Sequence, residues 1–406
     1  LAEDPLFSEW RIGPLRLRNR FIKSATNEGM ARGGMVSRAL VEHHRGIAAG
    51  GAAMTTVAYC AISDDGRTFV DQLRLDAHSI APLRVLTEAV HLEGAAACAQ
   101  ITHGGAFTFL PELSTRYPRS ASGGFNAPGV LSGRLFKTAM TKDELEAVAV
   151  QFVAAARTAR EAGFDAVEIH MGHGYLLSQF LSPAYNRRRD TYGGDAAARA
   201  GYPAEVLRRV LDAVGHDLAV SCKLSVTEAF KGGGTADDAA AIAQVLEQAG
   251  AHLLVLSGGM NVESPWAIFG SPMPSAATDT IQNPVIKPAT RAMRLCAPKI
   301  EFRELYLREH SLKVRAAVNM PLAYLGGVQS LDAARQARDD GFEAIVMGRA
   351  LLHDAELINK FRDGLAVRSG CTACNECVVS MYSPGGTQCV LRPPNDPALN
   401  RLPAAG

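Results

Sequence analysis

Apolar residues fall in short runs separated by longer amphipathic stretches, and this alternation repeats along most of the chain. Eight runs read as strands: Phe21 to Ile22, Ala52 to Ala58, Ala95 to Ile101, Ala166 to Ile169, Leu218 to Leu224, His252 to Leu256, Leu322 to Leu325 and Ala344 to Met347. The clearest helix between them opens at Thr141. Glu144 three residues on completes a capping box, and Leu145, Val148, Phe152 and Ala156 then share one face. Strand and helix repeated eight times predict an α/β fold, a (β/α)8 TIM barrel.

A chain of 406 residues fits one such barrel with insertions. The barrel is expected over residues 1–365 and a cysteine-rich C-terminal segment over 366–406. Gly258 to Val314 is too long for a single loop and helix, so it reads as an insertion. It leaves the sixth strand's end at Ser257, Gly258 and Gly259, on the face where barrels keep their active sites, and should shape a substrate pocket.

Lys and Arg number 42 against 41 for Asp and Glu, a weak overall field that points away from nucleic acid and acidic membranes and toward small-molecule partners. Hydrophobic residues make up 47%, yet no run reaches the roughly 18 to 20 apolar residues of a membrane span. Leu1 to Arg20 mixes acids, prolines and basic residues without the apolar core of a secretory signal, so the expected location is cytoplasmic. Assembly as a homo-oligomer is expected.

Chemistry concentrates in His170 to Gly194, HMGHGYLLSQFLSPAYNRRRDTYGG, directly after the fourth apolar run. His170, His173 and Tyr175 bring three neutral donors within six residues, able to polarise a carbonyl without burying net charge. A helical His pair at this spacing would also suit zinc, but no acidic third ligand stands at a helical step. Arg188 and Asp190 before the Tyr-Gly-Gly turn read as a clamp for the loop.

This segment resembles the signature of the old yellow enzyme family, the NADH:flavin oxidoreductases, in which His-x-x-His or His-x-x-Asn, Gly-Tyr-Leu, Phe-Leu-Ser-Pro, an Asn and Tyr-Gly-Gly follow in the same order. The resemblance implies an FMN-dependent enzyme that passes hydride from NAD(P)H to a second substrate. It makes His170 and His173 donors to the substrate's acceptor oxygen and Tyr175 the acid that completes reduction. By the same likeness Ala25 and Thr26 lie against the flavin. Asn27 stands where relatives carry Thr or Cys near the flavin O4, and it reads equally as a helix-capping Asn. Ala58 lets the ring approach the backbone, Gln100 pairs with the pyrimidine edge, and Lys223 supplies charge near N1 and O2. A lysine within an apolar strand would otherwise be costly.

Gly326 and Gly327 follow the seventh run and Gly348 and Arg349 the eighth, matching the family's phosphate grip. Glycines admit backbone N–H groups to a phosphate, and a guanidinium adds charge. No Gly-x-Gly-x-x-Gly opens a helix after a strand, so no dinucleotide domain is expected and NAD(P)H should visit the same flavin face as the oxidant. The implied reaction is reduction of an activated C=C bond. In the trimethylamine dehydrogenase branch an aromatic at the place of Tyr59 walls a methylated cation. Tyr59 and Trp266 therefore also admit an amine dehydrogenase or demethylase reading. Ala106 to Thr138 is expected to be a lid-like loop, with Tyr117 a candidate substrate contact.

Cys371, Cys374 and Cys377 are spaced C-x2-C-x2-C, and Cys389 follows after eleven more residues. Three thiols on one loop with a distant fourth suit [4Fe–4S], whereas structural zinc usually takes two separated pairs. Zinc and unligated thiols remain open. The dienoyl-CoA reductase and trimethylamine dehydrogenase branches carry such a cluster at a similar place and continue into further flavin and nucleotide domains. This sequence shows no such continuation, so a cluster would serve an external electron-transfer partner or be structural. Cys60, Cys98, Cys222 and Cys296 read as core residues.

Overall fold

A computed structural model describes residues 4–279, 287, 298–381 and 383–393. Eight parallel strands close into a barrel: β1 (Phe21–Lys23), β2 (Met54–Ala61), β3 (Ala96–Thr102), β4 (Ala166–Met171), β5 (Ala219–Ser225), β6 (Leu253–Ser257), β7 (Leu322–Tyr324) and β8 (Ala344–Met347). Closure comes from β8 pairing with β1, Ile345 opposite Phe21 and Met347 opposite Lys23. All eight apolar runs become barrel strands, and each lies buried because helices cover the outside while side chains fill the inside.

Lys142–Glu161 is the helix that the capping box predicts. Thr141 Oγ1 accepts from Glu144 N–H, the Glu144 carboxylate accepts from Thr141 N–H, and Leu145, Val148, Phe152 and Ala156 are buried. Thr235 and Asp238 start Ala236–Gln248 in the same way. Arg308–Ala317 packs beside that helix with Val314 buried, so the end of the expected insertion belongs to the outer ring. Residues 280–286 and 288–297 of that insertion, with Cys296, lie outside the described residues, as do 394–406 of the C-terminal segment.

An N-terminal hairpin, Trp10–Ile12 with Leu15–Leu17, stoppers the barrel's N-terminal end. Trp10, Ile12 and Leu17 form a core cluster with Met54, Ala96, Ala166, Ala219 and Leu253, which stand at or near the first residues of their strands. Chemistry is thereby left to the opposite end. The stretch 106–138, expected as a loop, carries a small sheet of Arg119–Ser120, Gly124–Phe125 and Phe136–Ala139. Among the described residues no helix is long and apolar enough to cross a membrane.

Candidate active site

At the C-terminal ends of the strands lies a cavity of about 340 Å³, within the usual range for small-molecule sites. Most of the residues singled out from the sequence line it: Ala25, Thr26, Asn27, Ala58, Tyr59, Gln100, His170, His173, Tyr175, Gly327, Gly348 and Arg349. Segments more than 300 residues apart thus meet in one place because barrel closure sets β8 beside β1. A register shift between Val57 and Cys60 in β2 has a direct consequence there. Consecutive strand residues normally face opposite sides, but with this irregularity Ala58 and Tyr59 both reach the cavity.

His170 is the penultimate residue of β4 and is buried, and its Nδ1 accepts from the backbone N–H of Gly172 at 3.2 Å. An accepting Nδ1 carries no proton, so the neutral ring bears its proton on Nε2 and can donate from there. Burial, then His173 and Lys223, push the His170 pKa well below the ordinary histidine value. Burial and Lys223 bring His173 down to about 3. Both rings are therefore neutral near pH 7.

His173 takes a left-handed backbone (φ 62), uncommon for a residue with a side chain, and Gly174 follows at φ 88. This turn directs the His173 ring onto Ser257 Oγ at 2.8 Å, where β6 ends. Tyr175 lies 4.7 Å from His170 and 5.1 Å from Tyr59, ring centre to ring centre. Burial raises its pKa, partly offset by hydrogen bonding with the Tyr59 and Asn261 side chains. Among the described residues the buried Asn261 Nδ2 has no hydrogen-bond partner of good geometry. Phe107 packs edge-on against Tyr175, and with Phe69 completes an apolar wall.

The sequence reading missed Glu168. It sits inside β4 opposite Gln100 of β3, accepts from Gln100 Nε2 at 2.7 Å, and pairs with Lys223 Nζ at 3.1 Å. All three side chains are almost fully buried. A lone acid in the apolar run Ala166 to Ile169 was the available signal, since a buried carboxylate needs a partner. Because Gln100 gives its N–H to Glu168, it turns its carbonyl to other partners. Lys223 lies beside Ser24 Oγ at 3.4 Å and is not among the cavity-lining residues. A second buried pair, Lys23 with Glu28, fills the inside near β1, with Glu28 also accepting from Ala58 N–H at 3.1 Å.

Several expected contacts look different in three dimensions. Asn27 caps no helix; its Oδ1 accepts from Gly29 N–H at 3.1 Å and its Nδ2 faces Met381 Sδ at 3.2 Å. Trp266 is not part of the cavity lining, whereas Pro265, Ile268 and Phe269 of the same short helix are. One helical face carries those three, and Trp266 falls off it. Tyr59 therefore has Tyr175 rather than Trp266 as its aromatic neighbour. Tyr117 packs on Phe136 of the small sheet and against Arg116, also outside the lining. Arg188 grips Asp190 and donates to the carbonyls of Ala121 and Met140 at 3.0 Å each, a structural clamp as expected.

Gly327 lines the cavity in a left-handed conformation (φ 80), while Gly326 does not line it. A side chain at Gly326 would collide with the Tyr324 hydroxyl and one at Gly327 with the Tyr306 ring, so packing demands these glycines independently of any phosphate. Arg349 lies between the Phe269 and Phe302 rings and donates to Ser271 Oγ at 2.9 Å, to Asn375 Oδ1 and to Phe269 O. Through Asn375 it ties the cavity to the cysteine segment.

Cys371, Cys374, Cys377 and Cys389 line one small recess, and Cys377 and Arg349 border both recess and cavity. His353 Nδ1 lies 3.4 Å from Cys389 Sγ. Among the described residues no three His, Cys, Asp or Glu side chains are grouped to hold a single metal ion. Cys60, Cys98 and Cys222 are buried in the barrel.

Size and donors fit FMN. The lining includes Gln100, the glycines Gly327 and Gly348 after β7 and β8, and the Arg349 guanidinium, while buried Lys223 is linked to Gln100 through Glu168.

Comparison with known proteins agrees. Residues 5–266 match the NADH:flavin oxidoreductase / NADH oxidase family. The chain is 40% identical over 395 residues to the 4,4'-dithiodibutanoate disulfide reductase of Rhodococcus erythropolis, covering 95% of each. It is 32% identical over 376 residues to an NADH oxidase of Thermoanaerobacter brockii, matching 91% of this chain but only 52% of that one. A solved 2-naphthoyl-CoA reductase has a similar fold, with TM-score 0.81 at 21% identity, over 98% of this chain and 58% of the other.

Proposed function

The chain belongs to the old yellow enzyme, or NADH:flavin oxidoreductase / NADH oxidase, family, so it is an FMN-dependent NAD(P)H oxidoreductase, and we propose that it reduces activated C=C bonds. The supporting observation is the convergence of three neutral donors, His170, His173 and Tyr175, on one aromatic-walled cavity. Ala25, Thr26, Asn27, Ala58 and Gln100 would hold the flavin ring. Lys223 would set the charge beneath it, and Gly326, Gly327, Gly348 and Arg349 would hold the phosphate end. Bound FMN supplies the hydride.

His170 Nε2–H and His173 donate to the substrate's activating oxygen, drawing electron density onto it and leaving the β-carbon open to hydride. Tyr175 passes its proton to the α-carbon and recovers it through its hydrogen-bonded neighbours. Tyr59, Phe69 and Phe107 keep water from competing for that proton.

Disulfide reduction is a second reading, supported by the relative that is 40% identical over 95% of its length. Hydride would cleave the S–S bond, leaving one sulfur as thiol and the other as thiolate, and Tyr175 would protonate that thiolate. Anaerobic mixing separates the readings. FMN-loaded protein is reduced with NADPH or NADH, then offered cyclohexenone-type enones, alkyl disulfides and methylamines while the yellow colour is followed. Reoxidation by enones supports C=C reduction, reoxidation by disulfides alone supports the second reading, and bleaching of the oxidised enzyme by methylamines overturns both.

We also infer an iron–sulfur cluster at Cys371, Cys374, Cys377 and Cys389, serving an external electron partner or the cavity beside it. One zinc ion would draw its thiolates to about 2.3 Å from a common centre. Four thiols around one shared recess, three of them from a C-x2-C-x2-C loop, suit a [4Fe–4S] cluster. Iron and sulfide assays with visible absorbance test this.

A further inference from the structure

A second cavity, about 570 Å³, lies beside the first. Its walls are the loop after β1 at Gly29 to Arg32, the loop after β2 at Val70 to Leu73, and Met381, Ser383 and Pro384 of the cysteine segment. Asn27, Ala58, Tyr59, Phe69 and Met381 border both cavities. With FMN filling much of the first, the space left at His170 and Tyr175 suits a reacting group more than a whole extended molecule. The second cavity is the adjoining room for the remainder.

Its lining is mostly apolar, with Met30, Leu40, Val70 and Leu73, and among the described residues it holds one cation, Arg32. Arg32 donates to the carbonyl oxygens of Gly29 (3.0 Å), Ala31 (2.8 Å) and Pro384 (2.8 Å). These contacts aim the guanidinium without neutralising it, and among the described residues Arg32 makes no ion pair. Two acids share the wall, and among the described residues neither pairs with Arg32. Glu28 pairs with Lys23, and exposed Asp71 accepts from Gly33 N–H at 2.8 Å. A single guanidinium with no ion pair among the described residues, on the wall of a mostly apolar cavity, matches a singly charged carboxylate better than a phosphate dianion.

We propose that the second cavity binds the far arm of an elongated substrate, with Arg32 holding a carboxylate at its end while the reducible group sits at His170 and Tyr175. This rests on the reading that reduction occurs in the first cavity.

Matched probes isolate the charge: (E)-7-oxooct-5-enoic acid against its methyl ester, and 3,3'-dithiodipropionic acid against its dimethyl ester. The readout is the acid-to-ester ratio of kcat/KM for the FMN-loaded full chain, whatever the absolute rates. The native ratio should favour the acid and shrink with added salt. Arg32→Gln should cut the ratio roughly tenfold through KM, the usual worth of a charge-assisted hydrogen bond. Val70 is exposed on the same wall, so Val70→Asp should lower the ratio and Val70→Lys raise it even if Arg32→Gln folds poorly.

A ratio within about twofold of native in Val70→Asp and Arg32→Gln overturns the proposal. If no probe is turned over, the reductase reading fails on its own. Binding of acid and ester, read from the spectrum of bound FMN, then tests the carboxylate site with the same variants and the same expected order.

Discussion

Replacing Tyr175 by Phe removes one oxygen from the wall of the cavity and little volume. Tyr175 is 7% exposed, and the neighbours of its hydroxyl are protein side chains, Tyr59 and Asn261. A general acid contributes about 10²- to 10⁴-fold, which at about 1.4 kcal/mol per decade is roughly 3 to 5 kcal/mol of transition-state stabilisation. Because apolar rings bound the site, water cannot easily substitute, and the loss should lie in the upper half of that range. Stability should fall by about 1 to 3 kcal/mol as well, since Tyr59 and Asn261 lose a buried partner. Anaerobic stopped-flow separates the steps. Flavin reduction by NAD(P)H should proceed at a near-native rate, whereas reoxidation by an enone should slow by about 10³-fold or more. Reoxidation within a few-fold of native would refute the assignment of Tyr175 as acid.

Three further outcomes follow from the same geometry. Glu168→Gln leaves Lys223 without its counter-charge, so the midpoint potential of bound FMN should rise by about 30 mV or more, tenfold in a two-electron equilibrium. An unchanged or lower potential contradicts that role. Burial lifts the Glu228 pKa to about 7, opposed by its bonds from Gly234 N–H and Ser182. The folded state then holds a proton that the unfolded state releases above about 4.5. This group's contribution is present at low pH and is lost as pH rises through about 7. Glu228→Gln should therefore gain on native protein in urea denaturation at pH 8 relative to pH 5, by up to a few kcal/mol, and a constant difference would count against it. Cys377 borders both recess and cavity, so Cys377→Ser should lower bound iron and sulfide and also weaken FMN retention. Retained FMN affinity with lost iron would uncouple the two sites.

Local pattern alone determined the barrel: eight apolar runs at helix-and-strand spacing, each long enough to be buried on both sides, admit few other arrangements. Residue types close together in sequence likewise announced that His170, His173 and Tyr175 would share one site, as well as the Arg188–Asp190 clamp and the Thr141 cap. Partners chosen across the barrel were not legible. That Glu168 meets Gln100 depends on the register of β3 with β4, and that His173 meets Ser257 depends on where β6 ends and on a left-handed turn. That Tyr59 reaches the cavity follows from a register shift, and that Trp266 misses it follows from helical phase. A displacement of one residue reverses a strand side chain or turns a helical one by about 100°. Such facing is fixed only when distant segments pack, so the sequence specified which groups were present and the closed barrel specified which of them touch.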